Sequence, residues 1–115
     1  MKVTCFIEYK LDAYKINQFT QYAEHWAKII PRCGGELVGY FLPHEGSNNR
    51  GFGLISFASL GEYELYRNRL KKDQQAQENF KFAREEKFIL EEKRSFLNVV
   101  ESSYWLNAIN QKAEV

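Results

Sequence analysis

A strand pattern followed at once by a long helix pattern is the feature of this sequence that most restricts its fold. Residues 3–10, VTCFIEYK, alternate between two sets of side chains, which is the two-residue period of a β-strand. Asp12 is a suitable N-cap, and after it apolar residues recur at intervals of three and four. These residues are Phe19, Tyr22, Trp26 and Ile29. Their spacing predicts one long helix that packs by a single apolar face.

The middle of the chain predicts a helix end and then a hairpin. Pro31 and the pair Gly34-Gly35 are typical signals for the end of the first helix. Residues 36–42 and 51–58 predict strands 2 and 3, because each is rich in apolar and β-branched or aromatic residues. The segment PHEGSNNR joins them as a hairpin loop, which is longer than most hairpins need.

The second half of the chain predicts two helical stretches and a last strand. Ser59 and Glu62 match the capping box at a helix start. The residues expected to face inward from this helix are Leu60, Tyr63, Tyr66 and Leu70. A break near Lys72 and Asp73 should precede a further helical stretch, and residues 88–97 predict strand 4.

The resulting order, βαββα(α)β, predicts an α+β fold. Right-handed crossovers in this order give a four-stranded antiparallel sheet with the helices on one face, which is the ferredoxin-like architecture. With 115 residues the chain can bury one core. We therefore predict one domain over residues 1–98 and an appended C-terminal tail over residues 99–115, packed on the protomer or on a partner.

Composition and charge restrict the classes of partner. Sixteen basic residues against fifteen acidic ones give a net charge of +1, so the chain lacks a strong positive field for nucleic acids. No apolar run approaches about 20 residues, and early charges at Glu8 and Lys10 interrupt any secretory signal. Cys5 and Cys33 form no metal-binding spacing. We expect a cytoplasmic protein with reduced thiols, no metal, no cofactor, no nucleic acid and no membrane contact.

The octet RGFGLISF, residues 50–57, raises the alternative of RNA binding, because it follows an RNA-recognition strand motif. Alternation in this strand directs Ile55 and Phe57 to the helices and Phe52, Leu54 and Ser56 to the open face of the sheet. Phe6 of strand 1, and Leu37 or Val38 of strand 2, could join them. The patch is too apolar to stay open to water. Its cover is either stacked bases or the sheet of a second copy.

The second copy is the favoured cover. Leu54 stands where the RNA motif requires a stacking aromatic ring, and the first helix is longer than that of RNA-recognition domains. A leucine suits an apolar interface as well as a phenylalanine does. The sequence therefore predicts a dimeric α+β barrel with Phe6, Phe52 and Leu54 at the interface.

Four stretches resemble the NIPSNAP family: CFIEYKLD at 5–12, GYFLPHEGSN at 39–48, LISFASLGEYELYR at 54–67 and RSFL at 94–97. The resemblance implies a ferredoxin-like protomer in a dimeric α+β barrel. Its superfamily also contains cofactor-independent monooxygenases and haem-degrading enzymes, but the family supplies no defined activity. The loop SNNRGFG departs from the family pattern, which has a more aliphatic entry into strand 3.

The hairpin loop should place a candidate proton-transfer pair at one end of the sheet. Histidine is the side chain best suited to proton transfer in proteins, and His44 stands beside Glu45, so together they are candidate catalytic residues. The alternative is an exposed turn without chemistry. His25 on the first helix should lie at the edge of the apolar stripe and too far along the helix to share a site with His44.

Four further residues are candidate ligand contacts, namely Glu8, Tyr9, Tyr40 and Arg94. Arg94 could hold an anion bidentately inside the fold. The charged run at 91–94 could instead protect an edge strand against aggregation.

Three functions follow as hypotheses. The leading one is a NIPSNAP-like homodimer of undefined activity that binds a small molecule in a pocket between sheet and helices. The first alternative is a cofactor-independent monooxygenase or isomerase, and the second is a non-enzymatic interaction module. RNA binding through 50–57 is disfavoured, and whether the chain is an enzyme stays open.

Overall fold

The predicted order of strands and helices is confirmed. The computed structural model describes residues 2–105. Its elements are β1 (Val3–Leu11), α1 (Ile16–Arg32), β2 (Glu36–Phe41), β3 (Arg50–Phe57), α2 (Leu60–Lys72), α3 (Gln74–Glu86) and β4 (Ile89–Asn98). Two short 3-10 turns, Ala13–Lys15 and Glu101–Ser103, precede α1 and follow β4. Each strand lies within one residue of its predicted bounds.

The four strands form one sheet in the order β2-β3-β1-β4, with antiparallel neighbours throughout. The helices cover one face of this sheet, so the α+β ferredoxin-like prediction is confirmed. β1 and β3 are the central strands, and Ile7 lies opposite Gly53 in their register. β4 is an edge strand, as one explanation of its charged run requires.

The core fills the space between the sheet and the helices. The predicted stripe on α1 is buried throughout, and Ile55 and Phe57 of β3 are buried on the helix-facing side as expected. Phe57 packs on the rings of Tyr63 and Tyr66 of α2, with centroids 5.2 and 4.9 Å away. Burial of each large apolar side chain contributes about 1.5–3 kcal/mol, which makes this layer the main source of stability.

Two details of the helix ends differ from the sequence prediction. Asp12 caps the 3-10 turn by accepting a hydrogen bond from the Tyr14 N–H at 3.0 Å, and α1 itself begins only at Ile16. Its other end passes through Pro31 to Arg32. Gly34, at φ 102°, then ends the helix in a Schellman arrangement, in which the Gly35 N–H donates to the Ile30 carbonyl at 3.0 Å.

Leu60 was predicted to face inward, and that prediction is wrong. Its side chain is 54% exposed, whereas Tyr66 and Leu70 of the same helix are buried. Leu60 is the first residue of α2, directly after the Ser59 cap, and the ring contacts of α2 with the sheet begin at Tyr63. The Ser59 cap itself is confirmed, because its hydroxyl accepts from the Glu62 N–H at 3.1 Å.

The open face of the sheet carries the predicted outward residues. Phe6, Phe52 and Leu54 are half-buried, and the Phe6 and Phe52 rings stack with centroids 5.8 Å apart. Ser56 faces the same way but is fully buried, where its hydroxyl lies 2.8 Å from that of Thr4. No helix within residues 2–105 is long and apolar enough to span a membrane.

The first part of the tail contacts the N-terminus of the same protomer. The Val99 N–H donates to the Lys2 carbonyl at 3.2 Å, and the Lys2 ammonium lies 5.2 Å from the centre of the Tyr104 ring. Val99 and Tyr104 thus contact Lys2 of their own protomer, whereas Val100 and Trp105 are exposed. The rest of the predicted tail, including Leu106 and Ile109, lies outside the described residues.

Candidate functional site

A small cavity lies between the sheet and the helices. Its polar lining consists of Tyr9, Tyr22, Tyr40, Tyr66, Arg67 and Arg94, and the remaining walls are apolar. The cavity measures about 10 Å³, which is room for one water molecule at most. The pocket predicted between sheet and helices is therefore too small in this structure for anything larger than a water molecule.

Strand geometry explains why these side chains converge. Tyr9 and Ile7 are two residues apart in β1 and so share its inner face, and Arg94 of β4 lies opposite Ile7. β2 has an irregularity at Val38, which has no partner on β3, and Tyr40 beyond it lies opposite the inward-facing Gly53. Of the two residues expected as alternatives for the open face, Leu37 packs on the core and Val38 faces outward.

Tyr9 and Tyr40 form a buried pair of phenols. Their hydroxyl oxygens lie 3.5 Å apart, and their ring centroids 6.2 Å apart. Burial raises the pKa of both hydroxyls well above the ordinary value, and raises the pKa of the neighbouring Tyr22 to about 12. At neutral pH these groups stay protonated, so they can donate hydrogen bonds but cannot serve as bases.

Arg94 is the cation of the site. Its Nε donates to Glu92 Oε2 at 3.0 Å, and its Nη1 donates to the Tyr63 hydroxyl at 3.3 Å. Burial alone would lower the pKa of Arg94, but the charge and hydrogen bond of Glu92 outweigh this and raise it. The guanidinium is therefore permanently charged on the helix-facing side of β4.

The structure separates the other predicted site residues from this cavity. Glu8 lies between Ile7 and Tyr9 in β1 and so faces the open side of the sheet, where Phe52 of β3 and Lys93 of β4 are its partners in register. His44 and Glu45 are exposed on the loop between β2 and β3. His44 borders a shallow depression formed only by loop residues 44 and 46–49.

Two residues that line the cavity were not predicted as site residues from the sequence. Tyr22 and Tyr66 line the cavity, yet their helical spacing marked them only as core residues. A signal was present, because a tyrosine at a core position brings a hydroxyl that needs a partner or a ligand. A tyrosine instead of a leucine at a core position of α1 or α2 therefore indicates that the position lies near a polar cavity.

Metal and thiol chemistry find no support within residues 2–105. No group of three or more His, Cys, Asp or Glu side chains comes together there. Cys5 and Cys33 are free and buried. Burial raises the pKa of both thiols, and for Cys33 the Asp73 carboxylate raises it further, so neither is an activated nucleophile.

Comparison with known proteins identifies the family. The NIPSNAP family model matches residues 4–104. The chain belongs to the NIPSNAP family. A NIPSNAP family protein from Agrobacterium tumefaciens is 21% identical, over 85% of this chain and 92% of that one, with a TM-score of 0.73. An uncharacterized NIPSNAP-like domain protein from Burkholderia xenovorans is 21% identical, over 90% and 89%, with a TM-score of 0.75.

A more distant likeness extends beyond the NIPSNAP proteins. A candidate antibiotic biosynthesis monooxygenase from Nitrosomonas europaea is 11% identical, over 87% of this chain and 99% of that one, with a TM-score of 0.66. At such identities the likeness concerns the fold alone. No curated protein sequence matches the chain significantly.

Proposed function

We propose that this NIPSNAP protein is a homodimer in which each protomer binds a small, partly apolar and anionic molecule between sheet and helices. The observation that carries the proposal is the position of Arg94, a permanent cation on the helix-facing side of the sheet. Its Nη2 group makes no hydrogen bond to any residue from 2 to 105. A guanidinium with free N–H groups suits a carboxylate or phenolate.

The tyrosines supply the rest of the binding surface. The hydroxyls of Tyr9 and Tyr40 can donate hydrogen bonds to a ligand oxygen, and their rings offer apolar contact. Because the cavity now holds only about 10 Å³, ligand binding requires Arg94 or one of the rings to move. The 3.3 Å contact from Arg94 to Tyr63 is a long hydrogen bond, so it costs little to release.

The homodimer is supported by the outer face of the sheet. Besides Phe6, Phe52 and Leu54, this face carries Phe41 and Leu97, which are 48% and 47% exposed. A second sheet packed on this face would bury them together. The two free thiols support a reducing compartment such as the cytoplasm.

A thermal-shift comparison tests the ligand proposal. We expect some members of a set of small carboxylates and phenols to raise the melting temperature of the wild type, by about 4–8 °C for each kcal/mol that the ligand, at the concentration used, adds to the free energy of unfolding. Arg94→Ala should abolish the shift. Arg84→Ala, which removes an exposed arginine of α3, should preserve it. Equal shifts in wild type and Arg94→Ala, or none in the wild type, would rule out an anion site at Arg94.

Cofactor-independent oxygenation or isomerisation of the bound molecule is a second candidate. It is supported by the fold shared with the candidate monooxygenase and by the protonated Tyr9 and Tyr40, which could hold a ligand enolate oxygen. The proton-transfer pair would be His44 and Glu45 of the loop between β2 and β3, and this loop would have to move towards the cavity for the pair to reach the bound molecule. His44→Ala and Glu45→Gln should then abolish turnover of a ligand found above without lowering the melting temperature. Unchanged turnover in both variants would exclude the pair.

A further inference from the structure

A second concave site lies between α1 and α3. This groove measures about 260 Å³ and shares no lining residue with the cavity between sheet and helices. His25, Lys28 and Ile29 of α1 form one wall, and Gln75, Glu78, Asn79 and Phe82 of α3 form the other. Its size is just below the range of pockets for drug-sized ligands, which suits a smaller molecule.

Asn79 fixes the floor of the groove. It is only 2% exposed, and its Nδ2 donates to the Tyr22 carbonyl at 3.1 Å. A backbone carbonyl can only accept, so the amide nitrogen must face Tyr22 and Oδ1 must face His25. The amide orientation therefore follows from its partners rather than from the shape of the side chain.

The orientation of Asn79 in turn fixes the tautomer of His25. Nδ1 of His25 lies 2.8 Å from Asn79 Oδ1, which can only accept, so Nδ1 must carry a hydrogen. In the neutral ring, Nε2 then keeps a free lone pair. Nε2 has no hydrogen-bond partner among residues 2–105, and the Phe82 ring lies beside the imidazole, with the two ring centroids 6.1 Å apart.

The two walls also carry one opposite charge each. Lys28 lies one turn after His25 on the same face of α1. Glu78 lies beside Asn79 on α3, where Oε1 accepts a hydrogen bond from Gln74 at 3.1 Å. Neither Lys28 nor Glu78 forms an ion pair within the described part of the chain. The groove thus offers a cation, an anion and a lone pair around an apolar surface.

We propose that this groove binds a free α-amino acid with an apolar side chain. The ligand carboxylate pairs with Lys28, and its ammonium donates to Glu78 and to Nε2 of His25. The apolar side chain lies against Phe82 and Ile29. Charge complementarity selects this class of ligand. A ligand with only a carboxylate would be repelled by Glu78, and a ligand with only an amine would be repelled by Lys28, because neither has a second charge to compensate.

Nuclear magnetic resonance of the full chain tests the proposal with named probes. In the free protein, the imidazole nitrogen shifts should show His25 protonated at Nδ1. L-phenylalanine and L-leucine at millimolar concentration should shift the Nε2 signal. The matched analogues 3-phenylpropanoate and phenethylamine each lack one charge, and both should bind about tenfold more weakly or worse.

Paired variants assign the charges. Lys28→Met and Glu78→Gln should each raise the Kd for L-phenylalanine by about tenfold or more. Lys81→Met and Glu85→Gln remove the exposed pair further along α3, 3.7 Å apart, and should leave the Kd unchanged. The proposal is overturned if neither amino acid moves the Nε2 signal, or if the neutral His25 ring carries its hydrogen on Nε2 rather than on Nδ1. It is equally overturned if 3-phenylpropanoate binds as tightly as L-phenylalanine.

Discussion

The contacts at Gly51 and Gly53 explain why β3 has glycine at two inward-facing positions. A Cβ at Gly53 would lie 2.8 Å from Cε1 of Tyr40, and one at Gly51 would lie 3.0 Å from the Phe19 ring and from Leu11. The rings of other elements rest directly on the strand backbone at these two positions. The glycines of RGFGLISF therefore have a packing explanation that does not involve RNA.

A pair of glycine substitutions should have opposite effects on stability. Gly53→Ala should destabilise the fold by about 1–3 kcal/mol, because Tyr40 is held by Tyr9 and Phe19 and cannot move away freely. Gly61→Ala should stabilise it by about 0.5–1 kcal/mol, because Gly61 lies in α2 and its Cβ would approach nothing closer than Ser59 Oγ at 3.6 Å. Urea unfolding of both variants checks this, and the same sign in both would contradict the contact argument.

Single residues of the site were predictable to different degrees. Tyr9, Tyr40 and Arg94 were among the predicted ligand contacts and do line one cavity. Glu8 could not join them, because neighbouring residues of a strand point to opposite faces. The orientation of Asn79 and the tautomer of His25 depend on atoms of α1 and α3 that meet only in the folded chain, so no spacing in the sequence reveals them.

The break between α2 and α3 depends on Asp73. Its carboxylate accepts from the Ala76 N–H at 2.9 Å as the N-cap of α3, and it accepts three hydrogen bonds of 3.1, 2.8 and 2.7 Å from Arg32 of α1. These hydrogen bonds lower the pKa of Asp73, with Arg32 as the main cause. One side chain thus fixes the start of one helix and ties it to the end of another.

Two substitutions at Asp73 should separate the cap from the ion pair. Asp73→Ala should cost about 1–2 kcal/mol at pH 7, and Asp73→Ser, which keeps a capping oxygen, should cost about 1 kcal/mol or less. A carboxyl with a lowered folded-state pKa stabilises above its unfolded value near pH 3.9. The deficit of Asp73→Ser should therefore shrink below about pH 4. Urea unfolding at pH 7 and pH 3 measures this, and a pH-independent deficit would contradict it.

Elements were predictable where a local pattern determines them. Strand alternation, the stripe on α1 and the Ser59 cap are short-range signals, and each of these elements appears where it was predicted. The irregularity at Val38 is different, because it depends on the register of β2 against β3. For this reason the alternation of side chains in β2 could not decide whether Leu37 or Val38 faces the open side of the sheet.

At the scale of the whole molecule, the two faces of the sheet differ in how completely they are covered. The inner face is packed by three helices, and its strand residues Cys5, Ile7 and Ile55 are at most 4% exposed. On the outer face, Phe41 and Leu97 are about half exposed, while Phe6, Phe52 and Leu54 lie between them. The outer face is thus the surface on which the proposed homodimer depends.

A charge placed on the outer face should separate the protomers. We expect the wild type to sediment at twice the protomer mass of 13.6 kDa, and Leu54→Glu to sediment at the protomer mass, because an unpaired carboxylate buried between sheets costs several kcal/mol. Leu65→Glu is the matched control, since Leu65 is a 47% exposed leucine on α2 and its variant should remain dimeric. Circular dichroism should show all three chains folded, because Leu54 is only half-buried within the protomer. A dimeric Leu54→Glu, or a monomeric wild type at micromolar concentration, would contradict an interface on this face.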